Sequence, residues 1–298
     1  MSQFSVCVLA YGPHQELAER CLGSIIRAAD AADWRFVAEL RIGLNAVSAE
    51  TLRWVEQVAV QAHVSGCPRV TLYRSADNIG KYPLMRYLFQ HRPLAPCTMW
   101  FDDDSYLRNP GDGDWWRRVA AMADTADVLG SIYRIRSRGQ QWRGVMAQPW
   151  YTGEPVRPRH VFIFPTGGWW VIKSEILKKW DYPFPELYHR GGDQMLGELC
   201  RQQHYCLLQF NEGVAINANE VGKESTAKER GLTREDTPWL WQNFPDGSKQ
   251  RPDMPDVTVE EVGSKDQQVR EQIVGTEVGS KRGSGRDWTA QLPTPPRL

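Results

Sequence analysis

Four times over about 135 residues, a short apolar run ends at a polar or glycine break and a stretch with helical spacing follows. Residues 4–12, FSVCVLAYG, form an apolar run that stops at Gly-Pro and reads as a buried strand. Leu17, Ala18, Cys21, Leu22, Ile25 and Ile26 then fall on one helix face. Residues 36–47 read as a second strand and 48–63 as a helix with Ser48 as its N-cap. RVTLYRS is a third strand, followed by a polar turn and a helix with Pro83 in its first turn. CTMWFDDD is a fourth strand, GDWWRRVAAMADTA a helix and DVLGSIYRIR a fifth strand. This alternation predicts an open α/β sheet with helices on both faces, and such sheets bind ligands at the carboxyl ends of their strands.

The second half is less regular. VFIFPTGGWWVIKSEILKKW reads as strand, glycine turn, strand and helix; GGDQMLGELCRQQ as a helix opening at Asp193; YCLLQF as a strand. After about residue 243 the chain turns rich in Pro, Gly and charge, EVGSK occurs twice, and the end lacks periodicity. We therefore expect a domain over 1–244, with a nucleotide-binding half (1–110) and an acceptor-side half (111–244), and a flexible, irregular tail over 245–298. Removing the tail is expected to leave a soluble domain.

Composition excludes some classes. Thirty-six basic residues balance 36 acidic ones, which argues against global, sequence-independent binding to nucleic acid but not against a local patch. The six cysteines form no C-x-x-C and several lie in apolar runs, the pattern of reduced, buried thiols. The first residues lack the basic and long apolar regions of a signal peptide, and no run of about 18 apolar residues exists to span a membrane. The expected location is the cytoplasm, or the host cytoplasm if the chain is phage-encoded.

The fourth strand ends in WFDDDSY. Three adjacent carboxylates resist burial unless a cation or hydrogen-bond donors compensate them. Strand alternation would put Asp102 and Asp104 on one face and Asp103 on the other. Two carboxylates on one face suit a hard cation, Mg²⁺ or Mn²⁺, shared with substrate phosphates. A calcium EF-hand is excluded, because the positions that need Gly and Glu are Leu107 and Gly113. Lys81 follows a glycine at a helix start, where backbone N–H groups and a cation can hold phosphate. Asp193 is also a good helix N-cap.

VCVLAYG, NIGKYPLMRY, WFDDDSY, TGGWWVIKSEIL and GGDQMLGEL, in that order, resemble the motifs of GT-A fold nucleotide-sugar glycosyltransferases, closest to family 2. The resemblance covers roughly residues 4–215. It implies a GT-A, Rossmann-like mixed sheet and metal-dependent, inverting transfer from a nucleotide sugar, a UDP-sugar, with Mn²⁺ or Mg²⁺. On the matching positions it implies that Asp104 binds metal and that Asp102 and Asp103 contact ribose or complete the metal shell. Tyr11 and Gly12 would lie against the base, with Asn45, Asn78 and Lys81 on the donor side. Gly167, Gly168, Trp169 and Trp170 would shape the sugar pocket, and Asp193 would be the general base. Three positions depart from the pattern: Asn45 stands where an acid is usual, Gly192 precedes Asp193 where Glu is usual, and no His follows His204. A third metal ligand is then Asn217, Asn219, water or nothing.

Residues 133–160 hold six Arg (Arg134, Arg136, Arg138, Arg143, Arg157 and Arg159) and one Glu, interleaved with Trp142, Trp150 and Tyr151. Arg with aromatics grips polyanions bearing stackable bases. The acceptor is thus either a glycan or a modified base, such as hydroxymethylated bases in phage-type DNA. The alternative to an enzyme is a non-catalytic sugar- or nucleic-acid-binding protein on a GT-A scaffold.

Overall fold

The computed structural model describes residues 2–136, 144–153, 161–185, 187, 191–218 and 256–263. One compact unit spans Met1–Val262 and a second Gly263–Leu298; of the second, only Gly263 is among the described residues.

The first half follows the alternation. Strand β1 (Phe4–Tyr11) leads through helix α1 (Gln15–Asp30) to β2 (Val37–Asn45), then through α2 (Ala49–Val64) to β3 (Val70–Ser75). Helix α3 (Lys81–Gln90) returns the chain to β4 (Cys97–Asp102). A short β5 (Tyr106–Leu107), α4 (Asp114–Thr125) and β6 (Val128–Arg136) follow. The remainder supplies β7 (Val161–Lys173), α5 (Ser174–Trp180), α6 (Gly192–Gln202), β8 (Leu207–Gln209), β9 (Val214–Ala215) and β10 (Thr258–Glu261). Eight strands form one sheet in the order β10-β3-β2-β1-β4-β7-β6-β8, while β5 and β9 pair separately. β1 runs parallel to β2 and β4, and β7 is antiparallel to β4 and β6, so the sheet is mixed.

Each face of the sheet carries its own core. Phe4, Val6, Val8 and Ala10 of β1 join α1, α2 and α4; Cys7, Leu9 and Tyr11 join α3, α5 and α6. The period of two along a strand buried on both sides produces this division. Ser48 caps α2 as its residue type predicts, accepting from Thr51 N–H at 3.1 Å. A buried Arg41–Glu39 pair at 2.7 Å ties β2 to the α3–β4 connection, since Arg41 also donates to the carbonyls of Leu88, Arg92 and Pro93. No helix among the described residues is long and apolar enough to cross a membrane.

Two readings change. Residues 161–173 are one continuous strand with no turn at Gly167-Gly168. Gly168 is needed there because Asn217, Ser105 and Ile216 press on the strand, not because it bends. Residues 258–261, expected in the irregular tail, form an edge strand antiparallel to β3, with Glu260 on Arg74 at 2.6 Å and Glu261 on Arg92 at 2.7 Å. The alternating, β-branched VTVEEV was the available signal, masked by the polar composition around it.

Candidate functional site

Strand order 3-2-1-4 places the carboxyl ends of β1 and β4 side by side at the point where the connections reverse direction. That crevice is where open α/β sheets bind ligands. Tyr11 and Gly12 end β1, and the acidic triplet ends β4.

The triplet divides two against one, though not by strand alternation. The strand stops at Asp102, and Asp103 and Asp104 lie in a turn closed by Ser105 N–H on the Asp102 carbonyl at 2.9 Å. Asp103 turns inward and is buried; its Oδ2 accepts the Tyr11 N–H at 2.9 Å. It therefore fixes the end of β1 to the end of β4. Asp102 and Asp104 are half-buried. Asp102 Oδ1 accepts the Trp100 indole N–H at 2.9 Å, and its Oδ2 pairs with Lys81 Nζ at 2.6 Å. The Asp104 carbonyl accepts Ala218 N–H at 2.7 Å, which brings the segment after β9 against the turn.

Lys81, the first residue of α3, also donates to the Gly167 carbonyl at 2.9 Å. A Cβ on Gly167 would lie 3.3 Å from Lys81 Nζ and 3.8 Å from Asp193 Oδ2, so Lys81, Gly167 and Asp193 converge. Asp193 lies within the first turn of α6, whose N-cap position is Gly191, rather than serving as the N-cap itself. Its Oδ1 accepts Gln194 N–H at 2.9 Å. Burial raises its carboxyl above the usual carboxylate range, and the Gln194 N–H and the Lys81 charge oppose that rise. Burial holds the Tyr82 and Tyr182 hydroxyls well above the ordinary phenol range, and the Asp193 charge adds to both shifts.

Other predicted residues have structural duties. Asn45 is buried, donates to Asn78 Oδ1 at 3.0 Å and accepts Ile79 N–H at 3.0 Å. Asn78 Oδ1 also accepts Gly80 N–H at 3.0 Å, so the two amides hold the turn that delivers Lys81. Trp169 and Trp170 are fully buried on opposite faces of the sheet: Trp169 packs with Phe101, Trp115 and Phe210, and Trp170 stacks on Trp100. Neither presents an indole to a sugar, because strand alternation sends one into each core. Trp150 is likewise buried, against Phe184. Arg134 and Arg136 are exposed on β6; Arg138, Arg143, Arg157, Arg159, Trp142 and Asn219 lie outside the described residues.

Sequence reasoning missed Ser105, Thr166 and Tyr82, and the structure gives Asn217 a definite place. Ser105 Oγ accepts Asn217 N–H at 3.2 Å, and Asn217 Nδ2 donates to Thr166 Oγ1 at 3.2 Å. Tyr82 fills the space that a side chain at position 192 would need, which explains Gly192 beside Asp193. Only contact in three dimensions reveals these roles.

The all-oxygen set of Asp102 and Asp104 fits a hard divalent ion. Such ions take one or two carboxylates and complete their shell from substrate phosphates. Among the described residues no group of three or more His, Cys, Asp or Glu side chains is placed to hold a metal ion. A cavity of about 810 Å³ opens at the opposite, amino end of β4, beside Pro96, Cys97 and Lys173. Tyr182 lines it, but Lys81, Asp102, Gly167 and Asp193 do not.

No protein-family model matches the chain, and no curated protein matches it in sequence. Solved structures do. GalNAc-T7 with UDP, GalNAc and Mn²⁺ is 14% identical, with a TM-score of 0.50 over 70% of this chain and 42% of that one. S. aureus TarS 1–349 is 16% identical, with a TM-score of 0.46 over 70% of this chain and 58% of that one. Glucosyl-3-phosphoglycerate synthase from Mycobacterium tuberculosis, with Mg²⁺ and UDP, is 15% identical, with a TM-score of 0.43 over 77% and 74%. The chain thus spans about half the length of the first two. The sheet, its flanking helices and the acidic strand end define the class: the chain has the GT-A fold.

Proposed function

We propose that the chain is a glycosyltransferase that moves a sugar from a nucleotide-sugar donor, a UDP-sugar, to an acceptor hydroxyl with inversion. The observation that carries this reading is the convergence of Asp102, Lys81, Gly167 and Asp193 at the carboxyl ends of β1 and β4. Tyr11 and Gly12 face the base, with the backbone of Tyr11 fixed by Asp103. Asp104 and Asp102 would hold Mn²⁺ or Mg²⁺, which would supply positive charge against a nucleotide diphosphate. Asp193 accepts the proton of the acceptor hydroxyl as its oxygen attacks the anomeric carbon opposite the leaving group. Burial raises its carboxyl from the ordinary aspartate value, and the Gln194 N–H and the Lys81 charge oppose that rise. Gly167 lets the donor sugar approach the backbone between Lys81 and Asp193.

The test is a screen of UDP-sugars and other nucleotide sugars for acceptor-dependent nucleotide release, with Mn²⁺ and with chelator. Release that needs both the ion and an acceptor is expected. Acceptor binding with no nucleotide binding in calorimetry would replace this reading with a non-catalytic sugar- or nucleic-acid-binding protein on the same scaffold.

One observation bears on the acceptor. Arg134 and Arg136 stand opposite Ile163 and Val161 in the β6–β7 register, and all four are exposed. A basic and aliphatic face favours an acceptor carried on a polyanion, such as hydroxymethylated DNA, over a neutral glycan. Running the screen with both, on wild type and on Arg134→Glu/Arg136→Glu, distinguishes them: loss of transfer to DNA alone is expected, and equal transfer to the neutral glycan would remove the preference.

A further inference from the structure

Asp102 already holds a cation belonging to the chain. Its Oδ2 lies 2.6 Å from Lys81 Nζ, and its Oδ1 is taken by the Trp100 indole N–H, so both oxygens are occupied. The pair is half-buried, with side-chain exposures of 16% for Lys81 and 19% for Asp102. Lys81 is located from three sides: β4 through Asp102, β7 through the Gly167 carbonyl, and the ring faces of Trp100 and Tyr82 at 5.7 and 5.9 Å. A divalent ion cannot approach Oδ2 while an ammonium sits there, because like charges at such separations repel strongly outside bulk water.

We propose that Lys81 is a tethered counter-ion that competes with the divalent ion for Asp102 and transfers to the donor's diphosphate when the donor binds. The inference rests on the donor reading given above. Charge supports it. Asp102, Asp104 and Asp193 with a diphosphate diester bring five negative charges to the site against two from the ion, and Lys81 supplies a third positive charge. Its four-carbon stem lets the ammonium move between neighbouring oxygens while the backbone at Gly80-Lys81 stays in place. No bond forms or breaks; one ion pair exchanges for another. Asn45 and Asn78 matter here only as the clamps that hold the start of α3.

Calorimetry on the full chain tests this with MnCl₂ alone, then with UDP at saturating Mn²⁺, for wild type, Lys81→Met and Lys81→Arg. Lys81→Met should bind Mn²⁺ about fivefold more tightly, the scale of removing one partly exposed ion pair. It should bind UDP about tenfold more weakly, the scale of removing one charge-assisted hydrogen bond. Lys81→Arg, which keeps the charge, should restore both toward wild type. Unchanged Mn²⁺ and UDP affinities in Lys81→Met would overturn the proposal. If that variant does not fold, the wild type decides. Acetic-anhydride labelling of Lys81, read by mass spectrometry, should rise with Mn²⁺ alone and fall again when UDP is added; constant labelling overturns the exchange. If wild type binds Mn²⁺ but never UDP, the donor reading fails, and the Mn²⁺ arm still judges the competition for Asp102.

Discussion

Gly168→Ala gives a test whose sign is informative. Gly168 lies inside β7 with φ outside the left-handed region, so its backbone accepts alanine. If the space beside it were open, alanine would stabilise the fold by ~0.4–1 kcal/mol through the unfolded chain alone. The structure forbids that gain. A Cβ would fall on Asn217 Oδ1, 2.7 Å from Ser105 Oγ and 3.0 Å from Ile216 Cγ2. Asn217 cannot swing aside freely, because its N–H bonds Ser105 Oγ and its Nδ2 bonds Thr166 Oγ1. Overpacking of this kind costs ~1–3 kcal/mol, and each of the two displaced hydrogen bonds contributes ~0.5–1.5 kcal/mol. Less the gain through the unfolded chain, these terms leave a net loss of ~1–5 kcal/mol, and at ~2–4 °C per kcal/mol Tm should fall by several degrees or more. Nucleotide release should fall as well, since Ala218, next in the chain, braces the Asp104 carbonyl. The control is Gly23→Ala in α1, where a Cβ meets nothing within 4 Å and Tm should rise. Thermal melts of the two variants beside wild type suffice. A Gly168→Ala melt equal to or above wild type would refute the packing described for Gly168, Ser105 and Asn217.

The remaining tests concern charge, the sheet edge and the thiols. Asp193→Asn should abolish transfer while UDP binding in calorimetry stays intact; wild-type turnover would remove Asp193 as the base. Because burial raises the Asp193 carboxyl in the folded state, its stabilising contribution is present below the ordinary aspartate pKa and lost as pH rises through the raised value. Asp193→Asn should therefore raise Tm at neutral pH and change it little in strong acid, and the acidic limb of the activity profile should lie above the ordinary aspartate range. Cutting after residue 244 removes β10 and its ion pairs to Arg74 and Arg92, and with it the buried Val262. Tm should fall, by the equivalent of about 2 kcal/mol for the valine alone. Cys206 is the exposed thiol, while burial pushes Cys7 and Cys67 up to about 12 and raises Cys200 further. Ellman's reagent should therefore titrate one thiol quickly in the folded protein and the others only on unfolding.

Apart from the two-residue β5, the order of strands and helices from Phe4 to Arg136 was legible in the sequence because each element states its own period. Buried strands are runs of adjacent apolar residues, and α1 repeats every three to four. Ser48 as a cap and Asp102–Asp104 at a strand end follow from residue type and from neighbours in the chain. These are local properties, and a sequence carries them directly. Trp169, Gly167 and Asn45 show where locality ends. Nothing in GGWW distinguishes an exposed indole from one sent into a core; that depends on the strand running straight through the glycines and pairing with β4 and β6. Asn45 looks like a ligand for a base until Asn78 and Ile79, more than thirty residues on, take both ends of its amide. The sequence by itself determined the α/β layers and the end of the sheet where the acids gather. Tertiary structure alone decided that Asp103 braces Tyr11, that Asp102 holds Lys81, and that Asp193 meets both across Gly167. Hydrogen bonds and ion pairs between distant segments depend on distances of a few ångströms, and only the packed sheet sets those.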